Sequence, residues 1–411
     1  MELLFILYPV LFAAGFVCGM VINQYAARNG LTQKNYSSQR TLAVNLFCAF
    51  GICLLYYWEV QLQALSPELA GYTENPSDSF LRFAAHSVFF ALLLAASLID
   101  WDDMVIPEQL TVFGTLAGLI LAAMSPQTLL PSIQMKYEYY VSAVQPVQYE
   151  FVYTVLPKPE PLHVASPHPS EILWKNQKPQ PEQIGKIWLS QNGGQYQKTM
   201  TALWLFWCFA MLPRVWYRKL SLQKKFAIFC RYLYRIPSTK FYIAAALIGT
   251  ALIWFAAYYV KTMVSDSHAA LLSSLTGIAV GMSIIWATRL IAGGVLKQEA
   301  MGFGDVMLMG MIGAFAGWQP CLMIFFLAPL TGLVLWTINA LMGRWREFPY
   351  GPNLCLATVI VFLAWKPIWA AAAPLYFDLG WYIGVIMFIC LVMLGVLLSV
   401  WCFIRKKLFG F

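Results

Sequence analysis

The stretch SFLRFAAHSVFFALLLAASLIDWDDMVIPEQLTVFGTLAGLILAAM, Ser79–Met124, decides the class of this chain. It holds two apolar runs, about 80–99 and 110–124, separated by Asp100, Asp102, Asp103 and Pro107. A bilayer core of roughly 30 Å needs about 20 apolar residues per helix, and the first run has that length. Pro107 stops the chain between the runs and starts the second helix. The stretch therefore reads as a membrane helix, an acidic rim and a returning helix. Further apolar runs occupy about 3–22, 41–58, 200–213, 241–260, 269–293, 304–317, 320–342, 354–372 and 382–403. That makes eleven spans, with those at 110–124, 200–213 and 304–317 short. Composition agrees: the 411 residues are 60% hydrophobic and 11% charged, where a soluble domain is about a quarter charged. The expected fold class is an all-α polytopic membrane protein with about eleven transmembrane helices. Nuclear and cytosolic enzymes, collagen, coiled coils and disordered scaffolds are excluded.

Charge fixes an expected orientation. The first run, Leu3–Ile22, has no basic residues before it and ends in Asn23, so it reads as a retained helix rather than a cleaved leader. With the N-terminus outside, the inner loops hold seventeen Lys and Arg: Arg28, Lys34, Arg40, eight from Arg214 to Lys240, Lys297, Arg344, Arg346, Arg405, Lys406 and Lys407. The short outer loops hold only Lys261, and the outer loop at 59–79 carries Glu59, Glu68, Glu74 and Asp78 without a cation. Such a bias places the C-terminus in the cytoplasm. The surplus of Lys and Arg thus records topology, and nucleic acid is not an expected partner.

Residues 125–198 break the pattern. They hold ten of the 22 prolines and no long apolar run, with six Lys against five Glu. Long loops cross regardless of charge, so a small extracytoplasmic insertion is expected. Alternation around Tyr149–Leu156 suggests a strand or two. The chain then divides into N-terminal membrane helices (1–124), the insertion (125–198), membrane helices with a basic cytoplasmic loop (199–303) and C-terminal membrane helices (304–411). The basic loop RVWYRKLSLQKKFAIFCRYLYR, Arg214–Arg235, reads equally as an amphipathic helix on anionic headgroups or as a topology anchor.

The nine cysteines form no C-x-x-C pair, and the four histidines form no H-E-x-x-H pattern. A thiolate zinc site needs closely spaced ligand pairs, so no metal or other cofactor is expected. Acids are scarce, and two stand at cytoplasmic ends of apolar runs: Asp100 and Asp305. Ionisable groups at such positions are expensive and are functional candidates. In Gly302-Phe303-Gly304-Asp305 the glycines let a backbone approach closely, and a carboxylate opening a helix is held by its first N–H groups. Asp100, Asp102 and Asp103 could alternatively gather a divalent cation, but they lack the Gly turn and terminal Glu of a calcium loop. Two carboxylates brought together by helix packing share one proton and titrate as a pair, which is the equipment of aspartyl proteolysis.

Four segments resemble the type IV prepilin peptidases, a family of GxGD aspartyl proteases. SLIDWDDMVIPEQLT is similar to that family's first aspartate segment, and MGFGDVMLMGMIGAFAGWQ to its GxGD segment. FPYGPNLCLA, Phe348–Ala357, is similar to its P-[FY]-G-P segment, and GFVCGMVINQYAAR, Gly15–Arg28, to its amino-terminal G-x-x-x-G-x-x-x-N…R pattern. The resemblance covers about 1–58, 80–124 and 290–372. It implies an integral-membrane aspartyl endopeptidase of the bacterial inner membrane. Such an enzyme cuts the basic leader from prepilin-like substrates at the cytoplasmic face, with Asp100 and Asp305 as the catalytic pair. Gly302 and Gly304 would admit the substrate backbone, Pro107 and Pro352 would shape the cytoplasmic rim, and Gly351 would join them in positioning the substrate. Partners would be the bilayer, the prepilin-like substrate with its apolar N-terminal helix, and assembly proteins of a type IV pilus or type II secretion system.

The chain departs from the pattern in its 125–198 excursion and the extra spans up to about 293, which lengthen the path between the two aspartates, and at three further places. The loop Gln24–Arg40 carries no cysteine, where bifunctional members hold a cytoplasmic domain with paired C-x-x-C motifs. Asn45 stands where the family often has the Glu associated with methyl transfer, so N-methyltransferase activity is not expected. Met307 stands where a Lys usually follows the GxGD-Val. A rival reading is a non-catalytic membrane assembly subunit that keeps the peptidase fold. A proton-coupled transporter is disfavoured, because both acids sit at one face rather than at the midplane.

Overall fold

The computed structural model describes residues 2–29, 36–65, 76–125, 128–130, 133–135, 149–151, 197–212, 224, 228, 231, 237–259, 266–297, 301–343, 349–379 and 382–409. Each of the eleven apolar stretches is helical there. In chain order the helices are α1 (Glu2–Asn29), α2 (Ser38–Tyr56, running into a π turn at Tyr57–Gln61), α3 (Pro76–Asp103) and α4 (Glu108–Met124). Then come α5 (197–210), α6 (Pro237–Tyr259), α7 (Asp266–Leu296), α8 (Phe303–Ala316), α9 (Trp318–Leu341), α10 (Tyr350–Leu363), α11 (Trp365–Leu379) and α12 (Tyr382–Phe409). Of these, six are long and apolar enough to cross a bilayer alone. A seventh span arises if α10 and the start of α11, bent by 79°, are taken together. The chain is an integral, all-α membrane protein. Its short apolar helices, α4 and α8 among them, account for the difference from eleven spans.

By compactness the described chain separates into two units, 1–181 with 269–411, and 182–268. In the smaller one, the Trp204 indole N–H of α5 donates to the Ala245 carbonyl of α6 at 3.1 Å. Gly249 leaves room for that indole, and Trp207 meets Tyr242 edge-on. In the larger one, β1 (Ile133–Met135) pairs antiparallel with β2 (Tyr149–Phe151), Gln134 opposite Glu150. β2 falls in the stretch Tyr149–Leu156 where a strand was expected, whereas β1 lies outside it. The remainder of the 125–198 insertion and most of the basic loop at 214–235 lie outside the described residues.

α8 organises the larger unit. Its 14 residues rise only about 21 Å, too short for the bilayer core. Every side from Asp305 to Ala316 is buried, so protein surrounds it and length matching with lipid is unnecessary. Glycine permits this crowding. Gly277 of α7 and Gly313 of α8 face one another with no space for a Cβ on either. The Ser274 hydroxyl donates to the Ala314 carbonyl at 2.6 Å. On the opposite side Gly114 and Gly118 of α4 admit Met311 and Phe315. Close approach through small residues substitutes for the hydrophobic drive that lipid cannot supply. Phe89 of α3 stacks on Phe315 at 4.5 Å and tilts against Phe362 of α10. These contacts hold α3, α8 and α10 in mutual register.

α1 and α2 join by the same device. A Cβ on Gly15 or Gly19 would strike the α2 backbone at Ala49 or Asn45. The Asn23 amide donates to the Asn45 side-chain oxygen at 2.9 Å and to the Thr41 carbonyl at 3.2 Å. The Gly15/Gly19/Asn23 pattern is thus a packing seam with a buried polar clasp. One acid sits differently from its expected place. Glu59 belongs to the π turn rather than an outer loop, and it is fully buried against His86 of α3, whose Nδ1 meets its carboxylate. The His86 Nε2 is 3.1 Å from the Thr128 carbonyl. A carboxylate can leave water there because the imidazole partners it.

Candidate active site

Asp100 lies in the last turn of α3 and Asp305 in the first turn of α8; they are 5% and 7% exposed. Helix starts hold both. Gly302 is the N-cap of α8, in extended conformation (φ −66°, ψ 155°), which makes Asp305 the third helical residue. Its carboxylate accepts from the Gly302 N–H, the returning half of a capping box. Asp100 has no such neighbour on its own helix. It accepts instead from the Gly351 N–H at 3.0 Å, in the first turn of α10, whose N-cap is Pro349. The exposed N–H groups and positive end of that helix favour an anion. The two carboxylates are within electrostatic reach of one another. Tyr350 feels Asp305, and the buried Cys355 feels both acids.

The other residues expected at the site fall into distinct places. Gly351 is tied sterically to Asp100, since a Cβ there would collide with its Oδ2. Gly304 packs on the loop between α3 and α4: a Cβ would lie 3.0 Å from the Ile106 Cβ. Gly302 has room, its nearest neighbour being the Asp305 Oδ2 at 3.7 Å. Pro107, half-buried, is the N-cap of α4, and Pro352 is buried at the start of α10. α3 ends through Met104, whose φ of 55° is left-handed and whose N–H closes on the Asp100 carbonyl at 2.9 Å. That turn sets Ile106 between Gly304 and Gly351.

Asp102 is engaged elsewhere. Arg40 donates to it through both terminal nitrogens, at 3.1 and 2.6 Å, and the Tyr36 hydroxyl donates at 3.0 Å. The guanidinium stacks 3.9 Å above the Tyr36 ring. Partial burial, then the bond to Asp102, raise the Tyr36 pKa and keep its hydroxyl a donor. This clamp fastens the entry to α2 against the end of α3.

Sequence reasoning passed over four participants: Ile106, Tyr350, the Arg40–Asp102 clamp and Arg289. Arg289, on α7, lies within electrostatic reach of Asp305. Its signal was present, as the one cation in the apolar run 269–293. Ile106 and Tyr350 lie inside the quoted segments SLIDWDDMVIPEQLT and FPYGPNLCLA, but nothing local marks either as a neighbour of the acids.

Residues 226–337 match the model of the type IV leader peptidase family. Over that segment the chain is similar to the type IV leader peptidases. Among curated relatives, the prepilin leader peptidase/N-methyltransferase of Stutzerimonas stutzeri is 33% identical over 98 residues, covering 23% of this chain and 34% of that protein. Its namesake in Pseudomonas aeruginosa is 34% identical over 99 residues, covering 23% and 32%. That of Escherichia coli K12 is 32% identical over 104 residues, covering 24% and 44%. The chain thus spans about a third of the length of the first of these relatives. No solved structure matches. The segment matched to the leader peptidase family contains Asp305, Gly302 and Gly304, whereas Asp100 and Gly351 lie outside it.

Proposed function

We propose that this protein is a prepilin-type leader peptidase: an aspartyl endopeptidase of the bacterial inner membrane, with Asp100 and Asp305 as its catalytic pair. One observation carries the reading. Two buried carboxylates from helices far apart in sequence lie within electrostatic reach, each held by a backbone N–H at the start of a helix.

Like charges so placed do not both ionise; the pair holds one proton. The ionised partner takes a proton from water as its oxygen attacks the scissile carbonyl, and the protonated partner donates to the carbonyl oxygen. Collapse of the tetrahedral intermediate breaks the C–N bond and passes a proton to the departing amine. The N–H groups of Gly302 and Gly351 hold each carboxylate in place, so little reorganisation accompanies the step.

The substrate class follows from the relatives' names and from the site's position. The charge bias of the loops assigns the ends of α3 and the starts of α8 and α10 to the cytoplasm, the N-terminus to the outside and the C-terminus to the cytoplasm. A substrate with a basic leader and an apolar helix would lay that helix among the spans and present the junction at the inner rim. Pilus or secretion assembly proteins would receive the product.

The test uses the full chain in membranes with a pilin-like substrate, followed by mass analysis of the mature N-terminus. Asp100→Asn and Asp305→Asn should each leave the leader uncut while the protein accumulates normally. Processing that survives Asp305→Asn defeats the carboxylate pair. An intact leader with the unsubstituted chain points to the assembly-subunit reading.

A further inference from the structure

A cation inside a helix bundle is costly and is kept where it has a partner. Arg289 stands on α7, about two turns before its end at Leu296. Its Nε–H donates to the Met301 carbonyl at 2.9 Å, and its guanidinium lies 5.8 Å from the centre of the Phe303 ring. Met301 and Phe303 flank Gly302, the residue whose N–H is bonded to the Asp305 carboxylate. One side chain from another helix thus grips both sides of the turn that delivers that N–H. Asp100 on α3 and Arg289 on α7 act on Asp305, and Asp305 in turn acts on Tyr350 and Cys355 of α10. Arg289 is the cation among them.

We infer that Arg289 is a positioning residue for Asp305: it pins the 301–303 turn so that the Gly302 N–H stays aimed at the carboxylate, and its guanidinium is the cation that faces this turn from α7. The inference rests on the catalytic pair proposed above. It places on α7 a positive charge that α8, with Met307 after Asp305 and Val306, does not carry.

The two contributions separate by substitution. Lysine keeps the charge but loses the planar fork that bonds Met301 while covering Phe303; glutamine loses the charge. Leader cleavage by full-length protein in membranes is followed across pH for wild type, Arg289→Lys, Arg289→Gln and Asp305→Asn. With Arg289→Gln both limbs of the bell should move up by about one pH unit, since a cation favours the ionised form. With Arg289→Lys the bell should stay in place while kcat/KM falls roughly fivefold or more. A rate loss with an unmoved bell in Arg289→Gln, or equal displacement in both variants, overturns the inference. If Arg289→Gln does not accumulate, Arg289→Lys decides alone, and wild-type kcat/KM overturns it. Cleavage by Asp305→Asn overturns the catalytic pair itself. An inactive Asp305→Asn beside an unshifted Arg289→Gln removes only the role given to Arg289.

Discussion

Gly351 and Gly302 stand beside the two carboxylates with opposite steric margins, and that contrast makes the site testable at single residues. A methyl at 351 has no space because the Asp100 Oδ2 occupies it. Gly351→Ala should therefore displace Asp100 and cut leader cleavage at least tenfold, with little change in protein level. A methyl at 302 meets only ordinary contacts, and the backbone there is extended. Gly302→Ala should fold as wild type. A KM raised severalfold would mark Gly302 as a place where substrate approaches, and an unchanged KM would remove it from the substrate path. Asp102→Asn should retain most cleavage, because Asp102 already binds Arg40 and Tyr36. Its cost is about 1 kcal/mol of stability, the scale of a partly buried ion pair near the surface. These outcomes are read from steady-state cleavage and from thermal unfolding in detergent.

Between elements, buried polar pairs decide how helices register. Asn23→Ala leaves the Asn45 side-chain oxygen without its donor and should lower stability by about 1 kcal/mol. Loss of the α1–α2 seam through Gly19→Val should cost more, since the new side chain meets backbone at Asn45. The Glu59–His86 pair is the stronger case, with both side chains fully buried. His86→Ala strands the Glu59 carboxylate and should cost about 3–5 kcal/mol. Replacing both residues by leucine should cost less than replacing either alone. A double-mutant cycle on thermal unfolding checks this, and strict additivity would count against a coupled pair.

For the whole molecule, a shared proton requires a bell-shaped dependence of leader cleavage on pH, with the two limbs belonging to the pair. A single-limbed profile would mean that only one carboxylate titrates in the reaction. Topology has its own check. Cysteines placed at Glu108 and Lys297 should react with an impermeant maleimide only from the cytoplasmic side, and one at Gln63 only from outside. The class of the protein, its eleven helical stretches, the acidic rim and the two glycine-flanked segments were legible in the sequence. Apolar run length and residue spacing are local properties, which the bilayer reads one helix at a time. Other facts were not legible. Nothing local shows that the 14-residue α8 is walled in by protein, that Glu59 and His86 bury one another, or that Arg289 reaches the 301–303 turn. Nor does it show that Asp100 takes its hydrogen bond from Gly351, 251 residues away. Those depend on which helices pack side by side. Packing is chosen by the joint fit of glycines, aromatics and buried polar groups on several helices at once, information that no single segment contains.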